Sequence, residues 1–298
     1  MSKTSLWLAA LIAANVATAA APTPAEHAQD VEAWRAQRLS RLTAPTGWLS
    51  LVGLDWLKPG RNTIGSAKDN DIVIAKAPMK LGTVLLDGDV VTIELEADAV
   101  ATIDGGNSAR ATLLDDSHEK PTIVAFGTVS FYLVDRGGRK GLRIKDSEAP
   151  TRTGFSGLDN YPFDDSWRIE ADWVAFDPPQ SLEIPNVLGT IDAMPVPGKA
   201  VFERDGKRHE LLPVLETPDA TELFFIFVDR TSGKQTYGAG RFLYAKPAQD
   251  GKVVLDFNRA YNPPCAFTPF ATCPLAPPEN RLPIAVTAGE KRYRGGGH

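Results

Sequence analysis

From Trp48 onward the chain is cut at short intervals by turn formers, and this punctuation limits its fold more than any other feature. Lys58-Pro59-Gly60, Asp69-Asn70, Asp87-Gly88-Asp89, Asp104-Gly105-Gly106-Asn107 and Arg136-Gly137-Gly138-Arg139 separate short apolar runs such as NTIGS, DIVIA, GTVLL, VVTIELEA, TIVAFGTVSFYLVD and GLRIKD. Glycine supplies positive φ, and Asp or Asn hydrogen-bonds its own turn, so each cluster reverses the chain. Many short strands between frequent turns predict a sandwich or barrel and argue against strand–helix alternation. The runs KAVFERDG, KRHELLPVLE, TELFFIFVDR, QTYGAGRFLYAK and KVVLDFN repeat the grammar with more proline, and Arg230 to Lys234 reads as a hairpin turn. In Trp167 to Phe176 the alternation is clean. Trp167, Ile169, Ala171 and Trp173 share one face, and Arg168, Glu170 and Asp172 share a wet one.

One convincing helix precedes the strands, over residues 25–43. Val31, Trp34, Leu39 and Leu42 form its apolar stripe, Glu32, Arg35, Gln37 and Arg38 face away as a solvated surface, and Pro45 stops it. The fold class expected is therefore mainly β: this helix with a β-sandwich over residues 20–149, then a second β-rich barrel or sandwich domain over 150–298. The seam is placed near Asp146 to Thr153.

Residues 1–19 read as an export signal. Lys3 is followed by an apolar run from Leu6 to Ala14, too short to span a bilayer, and then by Ala17-Thr18-Ala19, the small-x-small pattern of a cleavage site. The mature chain is expected in the periplasm or secreted, with no transmembrane segment. In such a compartment Cys265 and Cys273, with seven residues between them, most often form one structural disulfide. Free or redox-active thiols and a metal pair are the alternatives.

The net charge of −5 gives no electrostatic reason to expect nucleic acid as a partner. No G-x-S-x-G elbow, Walker loop, dinucleotide fingerprint, H-E-x-x-H or EF-hand loop occurs, so the sequence names no catalytic residue, metal site or cofactor. A site assembled from distant strands would leave no such mark.

Two stretches carry resemblances. GRNTIGSAKDNDIVI, through Ile64-Gly65 and Asn70-Asp71-Ile72-Val73, resembles the early strands of forkhead-associated domains, β-sandwiches that bind phosphothreonine. Ser66 stands where that family has a phosphate-binding Arg, and Pro78-Met79-Lys80-Leu81 replaces its Ser-x-x-His segment. The resemblance therefore implies the sandwich and leaves the phosphate contact without donors. The motifs EAWRAQR, TGWLSLVGLDWL, GLRIKDSEAPTRTGF, QTYGAGRF and DFNRAYNPPCAFTPFATCPLAPPENRLPIAVTAGEK are similar to a bacterial and archaeal family catalogued only as a domain of unknown function. That resemblance implies membership and no reaction.

Residues 256–283 mix prolines with polar and aromatic groups. Prolines 263, 264, 269, 274, 277 and 278 fix an extended path. Tyr237, Arg241, Asn258, Arg259, Tyr261, Asn262, Glu279, Asn280 and Arg281 are the candidate ligand-binding residues on or beside this segment. The alternative is a structural strap whose polar groups satisfy backbone along a sheet edge. Two functions follow: a non-catalytic exported binder of a small molecule or a protein, or an enzyme using Arg241, Arg259 or Arg281 to hold a small anionic substrate.

Overall fold

The computed structural model describes residues 22–295, so the expected export signal lies outside the described residues. Helix α1 (Pro24–Thr43) starts on a capping box in which Thr23 and Glu26 exchange backbone and side-chain hydrogen bonds. Its stripe differs from the sequence expectation at one turn. Val31 and Leu42 are buried as expected, yet Arg38 is buried and Leu39 is 41% exposed. Arg38 turns inward because Glu290, the Asn262 carbonyl and the Tyr261 ring await it there.

Ten strands follow: β1 (Leu51–Trp56), β2 (Gly60–Gly65), β3 (Ile72–Val73), β4 (Gly82–Asp87), β5 (Val90–Leu95), β6 (Thr102–Ile103), β7 (Arg110–Thr112), β8 (Ile123–Phe126), β9 (Val129–Arg136) and β10 (Arg139–Asp146). They make two five-stranded sheets, ordered β1-β10-β9-β8-β6 and β3-β2-β4-β5-β7. All pairings are antiparallel except β2 with β3. Alternate residues of both sheets, among them Ile64, Val84, Ile93, Phe131 and Leu142, close one apolar core. Gly65 is required where β2 leaves the sheet, because a Cβ there would strike the Met79 carbonyl. The Ser66 and Ala67 amides donate to the carbonyls of Pro78 and Met79, so the replacement segment seen in the sequence closes this loop on itself.

After a short helix α2 (Pro150–Thr153) come β11 (Arg168–Pro185), β12 (Ile191–Arg204), β13 (Lys207–Leu211), β14 (Leu223–Phe227), β15 (Arg241–Ala245) and β16 (Lys252–Asp256). Sheets β13-β12-β11-β16 and β14-β15 enclose a second core containing Trp167, Ala171, Phe202, Phe225, Phe227 and Phe257. The expected alternation of β11 holds: Trp167 and Ala171 face this core, whereas Glu170 and Asp172 are exposed and Asp172 pairs with Lys252 at 2.6 Å. The run QTYGAGRF is mostly loop, with β15 beginning only at Arg241. Conversely, residues 177–198 form a long proline-containing hairpin arm that the sequence reading passed over, since proline normally demotes a strand to an edge.

The chain's last stretch runs over the second core. From Leu282 to Ala288 burial alternates strictly, with Leu282, Ile284, Val286 and Ala288 inward. A further apolar cluster joins the two halves, placing Leu51 of β1 beside Phe224, Ile226, Phe242 and Cys273.

Candidate functional site

Where α1, the β9–β10 side of the sandwich and the second β-region meet, they leave a cleft of about 800 Å³. Helix α1 contributes Trp34, Gln37, Arg38 and Arg41, and the turn after it Thr46 and Trp48. Strands β9 and β10 supply Arg136, Arg143 and Lys145. The far wall is Phe242, Tyr244, Arg259 and Tyr261, and the proline-rich loop adds Thr272, Cys273 and Pro274. The Tyr244 and Tyr261 rings stack at 6.4 Å with planes 14° apart. Glu216 and Glu222 are the acidic members of the lining, and Glu216 accepts a 2.6 Å hydrogen bond from the Tyr244 hydroxyl. Burial raises both tyrosine pKa values, which keeps these hydroxyls protonated as donors.

The cations of the cleft are not equally occupied. Arg38 is committed to Glu290, and Arg136 grips Asp116 through both terminal nitrogens, at 2.9 and 2.5 Å. Arg259 lies 3.1 Å from Asp256. Arg143 is different. It is 2% exposed, its Nε has no partner, and its terminal nitrogens reach the Tyr132 and Thr272 hydroxyls at 3.4 and 3.1 Å. Its one carboxylate, at 3.6 Å, is the same Asp116 already held by Arg136. Lys145, two residues along the same strand face, donates to the Thr46 carbonyl at 2.6 Å and has no carboxylate within ion-pair reach among the described residues. Burial, with Arg143 adding repulsion, pushes its pKa down to about 8. Trp48 and Tyr132 present their faces to both cations, at 5.3–5.9 Å. A low-dielectric wall thus holds two positive groups whose counter-charge is scarce, which is what an anion site requires.

The residues singled out in the sequence divide sharply. Arg259 and Tyr261 line the cleft. Arg241 does not line the cleft: it is fully buried, paired with Asp229 at 2.8 Å and bonded to the carbonyls of Val286 and Ala288. Asn258 ties Asp164 to Asp256, and Asn280 ties the Leu212 backbone to the Ile226 carbonyl. Asn262 spans Glu290 and the Lys291 carbonyl. These are the strap's fastenings. Tyr237 donates to the Cys265 carbonyl at 3.2 Å, while Glu279 and Arg281 are exposed.

Cys265 and Cys273 face each other as free thiols, each backbone N–H donating to the other's sulfur at 3.2 and 3.4 Å. Their mutual hydrogen bond lowers the Cys265 pKa and raises that of Cys273, so Cys265 is the more acidic. No group of three or more His, Cys, Asp or Glu side chains among the described residues is placed to hold a metal.

Sequence reasoning missed Arg143, Lys145, Arg38, Trp48 and Tyr244. The available signal was GLRIKD, in which Leu142 and Ile144 point to the core and two cations share the opposite face. The same alternation describes any half-wet strand, and what distinguishes this one is the helix and loop that cover it.

A family profile described as "Protein of unknown function (DUF1684)" matches residues 153–291. That span takes in the QTYGAGRF loop and the proline-rich tail, while EAWRAQR and TGWLSLVGLDWL lie outside it. The solution structure of an uncharacterized protein of Haloarcula marismortui is 33% identical, covering 47% of this chain and 78% of that one, with a TM-score of 0.40. An FHA domain described for its phosphothreonine-dependent interactions is 13% identical over 31% of this chain and 92% of its own, with a TM-score of 0.21. The FhaA FHA domain matches with the same identity and TM-score, over 31% of this chain and 97% of its own. No curated protein matches the chain. The likeness to the DUF1684 family is thus shown for residues 153–291, the second β-region with its proline-rich tail.

Proposed function

We propose that this is an exported protein, periplasmic or secreted, that binds a small organic anion in the cleft beneath α1. The observation that carries this reading is the Arg143–Lys145 pair: a buried guanidinium with a shared carboxylate, beside an ammonium with none among the described residues. The anion would sit between these cations and Thr272, with any flat portion against the Tyr244–Tyr261 wall. Charge-assisted hydrogen bonds at a partly desolvated site are the strong ones, so two or three suffice for specific capture of a small ligand. Export rests on the residues of the N-terminal segment. The Cys265–Cys273 pair, already facing across a short loop, would close to a disulfide in that compartment and fix the wall bearing Thr272.

The test is thermal denaturation of the full-length protein and of Arg143→Gln against inorganic phosphate and phenyl phosphate. Wild type should melt higher with either anion, by RT ln(1 + [L]/Kd) of added stability, and Arg143→Gln should respond clearly less at the same anion concentration. A flat response in wild type, or equal responses in both, overturns the reading.

A further inference from the structure

Within this anion-binding reading, Lys145 stands out chemically. It is half-buried, faces Trp48 and Tyr132, and donates one hydrogen bond, to the Thr46 carbonyl. A lysine that serves only solubility would sit in water or against a carboxylate; this one sits beside another cation. We propose that Lys145 is a nucleophilic amine, and that the ligand is an anion bearing an aldehyde or ketone, such as a 2-oxo acid, which Lys145 captures as an imine. Arg143 and Thr272 would hold the carboxylate and thereby bring the adjacent carbonyl carbon to Nζ.

The step balances without a co-reactant. The Nζ lone pair adds to the carbonyl carbon, and the C=O π pair moves to oxygen, which takes one amine proton to give a carbinolamine. Its hydroxyl then leaves with the second amine proton as water, and the nitrogen pair forms C=N. Desolvation and a neighbouring cation both lower the pKa of a lysine amine, and both act here, so a larger share of Lys145 is the free amine near neutral pH than for an ordinary lysine. The groups facing Lys145 are Arg143 on its own strand and Tyr132 on β9. The turn after α1 presents the Thr46 carbonyl and the Trp48 ring to it.

The experiment is reductive trapping with glyoxylate and cyanoborohydride on the full chain, followed by peptide mass mapping of every lysine. Modification of Lys145 should exceed that of the exposed Lys68 and Lys207 at least tenfold. Its rate should rise with a midpoint near pH 8 and fall when phosphate is added or when Arg143 becomes Gln. Labelling of Lys145 no faster than of Lys68 or Lys207 overturns the inference. Phosphate binding to Lys145→Arg separates the two readings. If it persists while glyoxylate does not trap at Lys145 in wild type, the cleft binds anions and imine chemistry is excluded; if phosphate does not bind wild type either, the anion reading falls too.

Discussion

Two buried arginines set the strap and the cleft apart. Arg241, at 0% exposure, is met by the Asp229 carboxylate and by carbonyls of the terminal strap, although its Nε, like that of Arg143, has no partner. Arg143, at 2%, is nearly as buried but leans on two hydroxyls and on a carboxylate that Arg136 already occupies, and it faces 800 Å³ of cleft. Burial alone therefore does not mark a functional guanidinium. What marks it is the balance between donors and the acceptors the protein itself supplies, together with open space on the deficient side.

The comparison can be broken most forcefully at its closed end. Asp229→Ala leaves Arg241 charged in the core and should cost about 3–5 kcal/mol in urea unfolding, with no recovery in added phosphate. A cost below about 1 kcal/mol would mean that the strap's carbonyls suffice. At the open end, Arg143→Gln should leave stability unchanged or raised while weakening phosphate binding by roughly 10- to 100-fold, the value of a lost charged hydrogen bond. A stability loss equal to that of Asp229→Ala, with binding intact, would make Arg143 another structural arginine. Removing both Cys265 and Cys273 as Ser should cost about 2–3 kcal/mol relative to oxidised protein and nothing relative to reduced protein, since the loop they close is short.

The smallest effect concerns pH. Lys145 loses its proton near pH 8 when folded but near the ordinary lysine value when unfolded, so the unfolded chain binds more protons between those two values. Stability attributable to this residue should therefore be lowest below pH 8 and rise toward pH 10. Lys145→Met, measured by thermal melts, should exceed wild type at pH 7 by less than about 1 kcal/mol once solvent screening is allowed for, and lose that advantage by pH 10. An advantage that grows with pH would reverse the assignment.

How far the sequence revealed this architecture follows the same division. The sandwich strands were legible because Asp-Gly and Gly-Gly turns and apolar alternation are local properties of the chain. The face of Trp167, Ile169, Ala171 and Trp173 was read correctly for the same reason. The hairpin arm over residues 177–198 was hidden by its prolines, which local rules assign to breaks. In the proline-rich tail, polarity was visible but purpose was not. Asn258, Asn262 and Asn280 have the same residue type as ligand-binding amides, and only their buried backbone partners show them to be fastenings. Arg38 was placed on the solvated side of α1 because helix periodicity cannot anticipate a Glu290 arriving from the far end of the chain. Arg143 and Lys145 drew no notice because one strand face is silent about what covers it.

The most direct measurement is isothermal titration calorimetry of phenyl phosphate into the wild-type protein, Arg143→Gln and the stacking-wall variant Tyr244→Ala. Wild type should bind one equivalent, Arg143→Gln should bind at least tenfold more weakly, and Tyr244→Ala should lose affinity for phenyl phosphate while keeping it for inorganic phosphate. Equal binding by wild type and Arg143→Gln, or no binding by any of the three, would contradict the assignment of this cleft as an anion site.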